Sequence, residues 1–344
     1  MIVVNGRLLR EHTIGVSRYT NEVVNRFRNK ARIIKPRGLA KKGKGIIWEQ
    51  LILPRKISQK DLLWSPANTG PIYVKNQVIT IHDVIPLDHP EWFNLRFASW
   101  YRFLLPRLSK RARKIITISQ YSKERIIQLL NVPDEKVAII PEGVGDNFKP
   151  IPEINAQKVL TKYGVRLPFL LVVGSIEPRK NLSRLFNAWE NVHLQFPDLE
   201  LVVIGVQARS ARNSTMTSIP DSVHLLGYVQ DAELPSIYSA ALALVFPSLY
   251  EGFGLPILEA MACGTPVIAS NSTSIPEVVG EAGLLFNPFD IDAITATIEK
   301  FVQDSELQEI LREKGFKQAS KFSWDTTAQQ VWSVLSETLS EIQS

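Results

Sequence analysis

Cysteine is nearly absent, since Cys263 is the single one in 344 residues. One thiol forms no internal disulfide and supplies no thiolate cluster for a metal, which suits a reducing compartment. The sequence also has no uncharged apolar run of roughly eighteen residues, the length a spanning helix requires. Its opening, Met1-Ile2-Val3-Val4-Asn5-Gly6-Arg7, lacks a basic segment followed by an apolar one and a small-residue cleavage site. The expectation is a cytoplasmic chain that neither spans a membrane nor is secreted. Histidine is scarce too, and His12, His89, His193 and His224 have no partner at metal-ligand spacing, so they read as structural or exposed. No short-period repeat or low-complexity tract is visible.

What is present fits a folded protein. Hydrophobic residues make up 45% and charged residues 22%, proportions that exclude disorder over most of the length. A chain of 344 residues is about twice the length of one domain, so two domains are expected. The net charge of +6 conceals an asymmetry: residues 1 to 150 carry 27 Lys plus Arg against 12 Asp plus Glu, a net +15, whereas the remainder carries 13 against 22, a net −9. A basic half of this kind suits a nucleic acid, an anionic membrane face or a phosphate-bearing substrate, and charge alone does not choose among them.

Short β-branched runs alternate with amphipathic stretches throughout the first half. The runs Ile2 to Asn5, Asp61 to Trp64, Val78 to His82, Lys114 to Ser119 and Val137 to Pro141 predict buried parallel strands, with helices over Ser17 to Arg28, Asn94 to Arg113 and Ser122 to Leu130. That order is the doubly wound α/β pattern. Asp146 to Pro152, with two prolines and little periodicity, reads as a linker. The second half restarts the rhythm, with strands at Phe169 to Val173, Leu199 to Ile204, Val223 to Leu226, Leu242 to Phe246, Val267 to Ser270 and Gly283 to Phe286. Two Rossmann-like domains facing across a cleft are therefore expected, at 1–150 and 151–323. The last helix, from about Trp324, is longer than the second sheet needs and is expected to cross back to the first domain. Ligands of such sheets bind at the carboxyl ends of the strands.

The stretch from Pro247 to Ser270 carries the most chemistry. Gly252 and Gly254 let backbone approach a ligand closely, and Pro256 stands near a first helical turn whose free N–H groups suit an anion. Glu251 and Glu259 are eight apart, one before the helix and one about a turn inside it. With its Gly-Phe-Gly-Leu-Pro insert, this segment resembles the E-x7-E motif of the retaining glycosyltransferases of family 4, the group 1 glycosyltransferases, which have the GT-B fold. The resemblance covers nearly the whole chain. Gly15-Val16-Ser17-Arg18-Tyr19 looks like the family's glycine loop, His82-Asp83 like its strand-end histidine, and Ser119 to Lys123 like its serine turn. Pro141 to Val144, Arg179-Lys180-Asn181 and Ser274 to Val278 follow in the family's order.

The resemblance implies a role for each matching position. Arg179 and Lys180 would neutralise the diphosphate of a nucleotide-sugar donor, Glu259 would hold its ribose, and Glu251 would contact the transferred sugar. Backbone at Gly252, Phe253, Gly254 and Leu255 would hold sugar and diphosphate. His82 would also touch the sugar, while Gly15 and Gly174 would flank the donor. Base contacts would come from backbone near Tyr228 and Val229, which leaves UDP-glucose and GDP-mannose both open, with a leaning to UDP-glucose. Ser17 and Ser175 depart from the family, many members having a glycine and an arginine at these places. The expected reaction is hexose transfer to a glycan or polyprenyl-diphosphate-linked acceptor in polysaccharide biosynthesis, with no enzyme nucleophile evident and front-side substitution preferred.

No cofactor and no metal are expected. Asp290-Ile291-Asp292 follows Pro288 at a predicted helix start and reads as a cap rather than a metal pair. Asn181-Leu182-Ser183, Asn213-Ser214-Thr215 and Asn271-Ser272-Thr273 match the glycosylation acceptor but matter only in a secreted chain. Phe93, Phe97, Trp100 and Leu104 recur at helical spacing ahead of Arg107, Lys110, Arg111, Arg113 and Lys114. The aromatic stripe reads first as the buried face of a helix, and the basic cluster as favouring the inner face of an anionic membrane or a lipid diphosphate. The rival classes are a non-catalytic sugar-nucleotide binder and a nucleic-acid-binding protein. The second would need a recognised module and interleaved exposed aromatics, and neither is found.

Overall fold

A computed structural model describes residues 1–9, 15–36, 45–207 and 219–343. His12 and the Asn213 triplet lie outside the described residues. The chain divides into two compact units, one of Met1–Pro90, Leu95–Gly143 and Ser323–Ser344, the other of Glu91–Asn94 and Val144–Phe322.

The first unit is built on six parallel strands, β1 (Ile2–Asn5), β2 (Arg32–Ile34), β3 (Leu62–Ser65), β4 (Gln77–Thr80), β5 (Lys114–Thr117) and β6 (Val137–Ile139), in the order β2-β1-β3-β4-β5-β6. Its helices are α1 (Val16–Arg26), a short α2 (Gly45–Ile47) running into Trp48–Ile52, α3 (Ile85–Asp88), α4 (Leu95–Arg111) and α5 (Gln120–Leu130). β1, β3 and β4 are buried at every position, because parallel strands covered on both faces have no solvent side to carry polar residues. α1 presents Tyr19, Val23 and Val24 to the interior. α5 starts where the Ser119 hydroxyl accepts the Ser122 amide at 3.1 Å and stops at Asn131 in the left-handed region.

The second unit repeats the plan with β7 (Phe169–Val173), β8 (Glu200–Ile204), β9 (Val223–Gly227), β10 (Ala243–Phe246), β11 (Val267–Ser270) and β12 (Gly283–Phe286), all parallel, ordered β12-β11-β10-β7-β8-β9. α6 (Glu153–Tyr163), α7 (Leu182–Gln195), α8 (Leu234–Ala240), α9 (Leu255–Ala262), α10 (Ile275–Val279), α11 (Ile291–Gln303) and α12 (Ser305–Ala319) accompany them. Leu185, Trp189 and Val192 of α7 and Ile294, Ile298 and Phe301 of α11 pack on Leu170, Leu201, Val203 and Val245 of the sheet. Each such buried side chain stabilises the fold by about 1.5–3 kcal/mol.

The final helix, α13 (Trp324–Gln343), belongs to the first unit and packs on α1, β1 and β3. Trp324 meets Tyr19 edge to face at 6.1 Å, Trp332 meets Phe27 at 5.2 Å, and the Thr327 hydroxyl donates to the Pro141 carbonyl at 2.8 Å. Gly143 is obligatory at this join, since a Cβ there would lie 2.2 Å from the Trp324 nitrogen.

Strands β1, β7, β11 and β12 stand where the sequence places them, and the other predicted strands shift by one or two residues at one end, or at both for β3 and β4. β2 escapes the pattern: three residues at the sheet edge beginning with an exposed Arg32 carry no periodicity. On α4, Leu104 is buried and Phe97 and Trp100 partly so, which makes the aromatic stripe an inward face, and Phe93, ahead of the helix, is buried too. Arg96, Phe103, Arg107, Lys110 and Arg111 are exposed. Among the described residues no helix is long and apolar enough to cross a membrane.

Candidate active site

In the second sheet the chain runs outward from β7 through β8 to β9 on one side, and from β10 through β11 to β12 on the other. At such a switch point the loops leaving neighbouring strands part, and ligands of open parallel sheets occupy the space. The loop after β7 carries Gly174, Ser175, Glu177, Arg179 and Lys180. The loop after β10 carries Glu251.

These two loops are joined by charge. Lys180 Nζ lies 2.6 Å from Glu251 Oε1, and Arg179 Nη1 lies 2.6 Å from Glu251 Oε2, so both carboxylate oxygens face a cation. Arg179 Nη2 reaches Glu177 Oε1 at 2.6 Å, and that same oxygen accepts the Ser175 hydroxyl. The main chain follows suit, with the Leu249 amide donating to the Arg179 carbonyl at 2.7 Å. Gly174 makes room for the ammonium: a Cβ there would sit 3.2 Å from Lys180 Nζ, with φ at +157°. The short Pro178–Lys180 turn thus directs its cations at a carboxylate 71 residues away.

Burial decides the energetics. Lys180 and Glu251 are each 8% exposed. Burial alone would raise the Glu251 carboxyl, but Arg179 and Lys180 outweigh it and hold the group at about 2. Burial pulls the Lys180 ammonium below its ordinary range, opposed by Glu251 and reinforced by Arg179. Two cations, Arg179 and Lys180, stand beside two carboxylates, Glu177 and Glu251, a balanced set that is costly to break at either end.

α9 begins directly after this loop, with Gly254 at φ +124° as its cap and Pro in the first turn. Glu259 lies in the middle of α9, 4% exposed, and its Oε2 accepts the Tyr238 hydroxyl at 2.9 Å. Phe253 is buried, and Gly252 and Leu255 complete the turn into the helix. At the end of β9, Tyr228 is half exposed while Val229 is buried. Asp290 caps α11, its carboxylate accepting the Ala293 amide at 3.0 Å, and no group of three His, Cys, Asp or Glu able to hold a metal occurs among the described residues.

Residues 159–318 match the family model described as Glycosyl transferases group 1, and residues 61–148 match Glycosyltransferase Family 4. O-antigen chain mannosyltransferase B of Escherichia coli is 35% identical over 271 residues, covering 76% of this chain and 70% of that protein. The chain belongs to the group 1 glycosyltransferases. Serotype-specific mannosyltransferase WbdA of Escherichia coli is 32% identical over 263 residues, 73% of this chain, but the chain spans only 32% of WbdA. The fold is GT-B: Anabaena HepE, solved in complex with UDP-glucose, superposes with a TM-score of 0.77 at 20% identity over 98% of this chain and 99% of that one.

In the glycosyltransferase's first unit, three segments quoted for the family resemblance converge on His82. Tyr19, four residues after Gly15, stacks edge-on to the imidazole at 4.6 Å. Ser122 donates its hydroxyl to the His82 carbonyl at 2.9 Å, and the His82 amide donates to Asn68 Oδ1 at 2.6 Å. The ring nitrogens are both engaged, Nε2 at 3.0 Å from the Pro66 carbonyl and Nδ1 at 3.2 Å from Glu142 Oε1. A carbonyl only accepts, so Nε2 is the donor toward Pro66, and Nδ1 faces Glu142. His82 is therefore a fastened, 3% exposed ring. Gly15 caps α1 at φ +53°.

Several partners escape sequence reasoning. Glu142 and Tyr238 are lone polar residues whose roles depend on distant chain. Ser175, where many family members carry arginine, engages Glu177 instead, and the Ser-x-Glu-x-Arg spacing is a signal that could have revealed it. The first unit also holds a buried knot: Glu49 Oε1 accepts Asn5 Nδ2 at 2.7 Å, Arg7 Nε at 3.0 Å and Thr69 Oγ1 at 3.1 Å. Glu49 Oε2 is buried and has no hydrogen-bond partner among the described residues. Asn5 ends β1 and Ser65 ends β3, so the knot lies at the switch point of the first sheet.

Proposed function

We propose that this glycosyltransferase moves a mannosyl residue from a nucleoside diphosphate to a growing glycan or a polyprenyl-diphosphate-linked acceptor in polysaccharide assembly, with retention of configuration and without a metal. The observation that carries the reading is the Arg179–Lys180–Glu251 cluster at the β7/β10 switch point. The mannosyl donor, and with it GDP-mannose over the UDP-glucose the sequence reading leans to, is supported by the names of the Escherichia coli relatives.

The cations are matched by the protein's own carboxylates before a donor arrives. An incoming diphosphate therefore takes over the contacts of Arg179 and Lys180 from Glu251, and the freed Glu251 turns to hydroxyls of the sugar. Transfer breaks the bond between the sugar's anomeric carbon and the diphosphate oxygen and forms one to the acceptor oxygen on the same face. The acceptor's proton leaves with the departing phosphate, and Arg179 and Lys180 hold the negative charge that develops there. Glu259 and Tyr238 hold the ribose. The exposed basic face of α4 holds the enzyme at an anionic membrane surface on the cytoplasmic side.

The test is to incubate the protein with a panel of nucleotide sugars, with and without EDTA, and to measure released nucleotide and the anomeric configuration of the product. Release from GDP-mannose, unchanged by EDTA and yielding the retained anomer, is the expected result. Release from UDP-glucose alone would overturn the mannosyl assignment, and an EDTA-sensitive rate would overturn metal independence.

A further inference from the structure

The loop that follows β11 has a feature that neither the charge cluster nor the fold requires. Thr273 adopts φ +57°. For a β-branched residue the left-handed region is a genuine outlier, and such strain persists only where surrounding contacts over-determine it. Here the contacts all lead to one place. The Thr273 hydroxyl accepts the Glu251 amide at 3.0 Å, and the next hydroxyl, Ser274, donates to the Glu251 carbonyl at 2.9 Å and the Phe253 carbonyl at 3.1 Å. Two residues earlier, Ser272 donates to the Leu249 carbonyl at 2.9 Å, and Ser270 to the Ser248 carbonyl at 2.6 Å. Four hydroxyls on one five-residue stretch grip the backbone of the Ser248–Phe253 turn, and the strained one holds the peptide nitrogen of Glu251.

We propose that Thr273, with Ser274, is a positioning residue of the donor site: it fixes the Glu251 backbone so that the carboxylate stands between Arg179 and Lys180. The proposal rests on the donor-site reading of that cluster. Ser270 and Ser274 are fully buried, so their hydroxyls have no water to turn to, and the turn they hold has one backbone position available to it. The left-handed twist at Thr273 brings its hydroxyl under the Glu251 amide. A glycine in its place would keep the backbone path and lose the grip.

The test compares Thr273→Gly, Thr273→Ser and Ser274→Ala with the parent in two readouts. The first needs no substrate: titration of the Glu251 carboxyl by NMR. Thr273→Gly is expected to move it upward from its depressed position, whereas Thr273→Ser, which keeps the hydroxyl, leaves it in place. The second is donor turnover, where Thr273→Gly and Ser274→Ala lower kcat on the order of tenfold to a hundredfold, the cost of a small misplacement at a reacting centre. Donor KM changes little. The melting temperature of Thr273→Gly does not fall, because relief of strain offsets the lost hydrogen bond, and Thr273→Ser recovers the parental kcat. An unmoved Glu251 titration in Thr273→Gly would overturn the proposal. So would a loss of kcat that tracks a lowered melting temperature and is not rescued by serine. A parent protein that turns over no nucleotide sugar while its Glu251 titration responds as described would instead sink the donor-site reading and leave the positioning role standing.

Discussion

Each unit keeps a buried carboxylate at the switch point of its sheet, and the two are held in opposite ways. Glu251 faces a cation with each oxygen, and its donors are two charged groups from a single neighbouring loop. Glu49 gathers an amide, a hydroxyl and one guanidinium on a single oxygen and leaves the other without a partner among the described residues. A carboxylate bracketed by two cations can be exchanged for another anion with little rearrangement, because both donors simply change acceptor. A carboxylate that gathers Asn5, Arg7 and Thr69 on one oxygen ties the end of β1 to the β3 loop and is built into the chain rather than set for exchange. The same residue type at the same topological place thus serves exchange in one unit and anchorage in the other.

Substitution at Lys180 tests that contrast most severely. Lys180→Ala is expected to lower kcat by about a hundredfold or more, with a much smaller change in donor affinity, because a preorganised cation aimed at developing charge contributes roughly 3 kcal/mol to the transition state. Steady-state nucleotide release measures it, and a kcat equal to the parent's would remove Lys180 from the chemistry. Glu49→Ala should do the reverse. Breaking its pair with Arg7 costs about 3–5 kcal/mol of stability, read from urea unfolding, while donor turnover per folded molecule stays at the parental level. A loss of turnover without a loss of stability would erase the distinction.

Acid provides a finer comparison. Folding holds the Glu251 carboxyl at about 2 against an ordinary 4.5, so its charged form stabilises the fold above pH 4.5, and that contribution is lost as the pH falls through about 2. The loss amounts to roughly 3–4 kcal/mol, and Glu251→Gln should flatten the stability profile across that interval. The least effect is expected at a helix cap: Asp290→Ala removes the α11 cap, lowers stability by about 1 kcal/mol in the same unfolding assay, and leaves kcat alone.

These differences bear on what the sequence could reveal. The strands were legible because a sheet covered on both faces demands unbroken apolar runs, as at Phe169–Val173 and Val267–Ser270. β2 was not, because three edge residues starting with Arg32 have too few buried positions to form a pattern. Within the site, the E-x7-E spacing and the Arg179-Lys180 pair stood out as motifs on short contiguous segments. Their pairing with each other did not, since it joins residues 71 and 72 positions apart. Tyr238 and Glu49 were invisible for the same reason, and Glu142, though inside the Pro141 to Val144 segment, showed no partner. A buried polar residue is explained only by its partner, and partners brought together by parallel crossovers are distant in the chain.

The return of α13 to the first unit has a consequence for biosynthesis. A ribosome releases the chain from its N-terminus, so the first sheet is complete long before Trp324 and Trp332 emerge to cover Tyr19 and Phe27. Until α13 emerges, that unit exposes an aromatic seam, whereas the second lies almost wholly in one continuous stretch that precedes α13. Nascent chains stalled shortly before Ser323 should therefore be the form most in need of a chaperone.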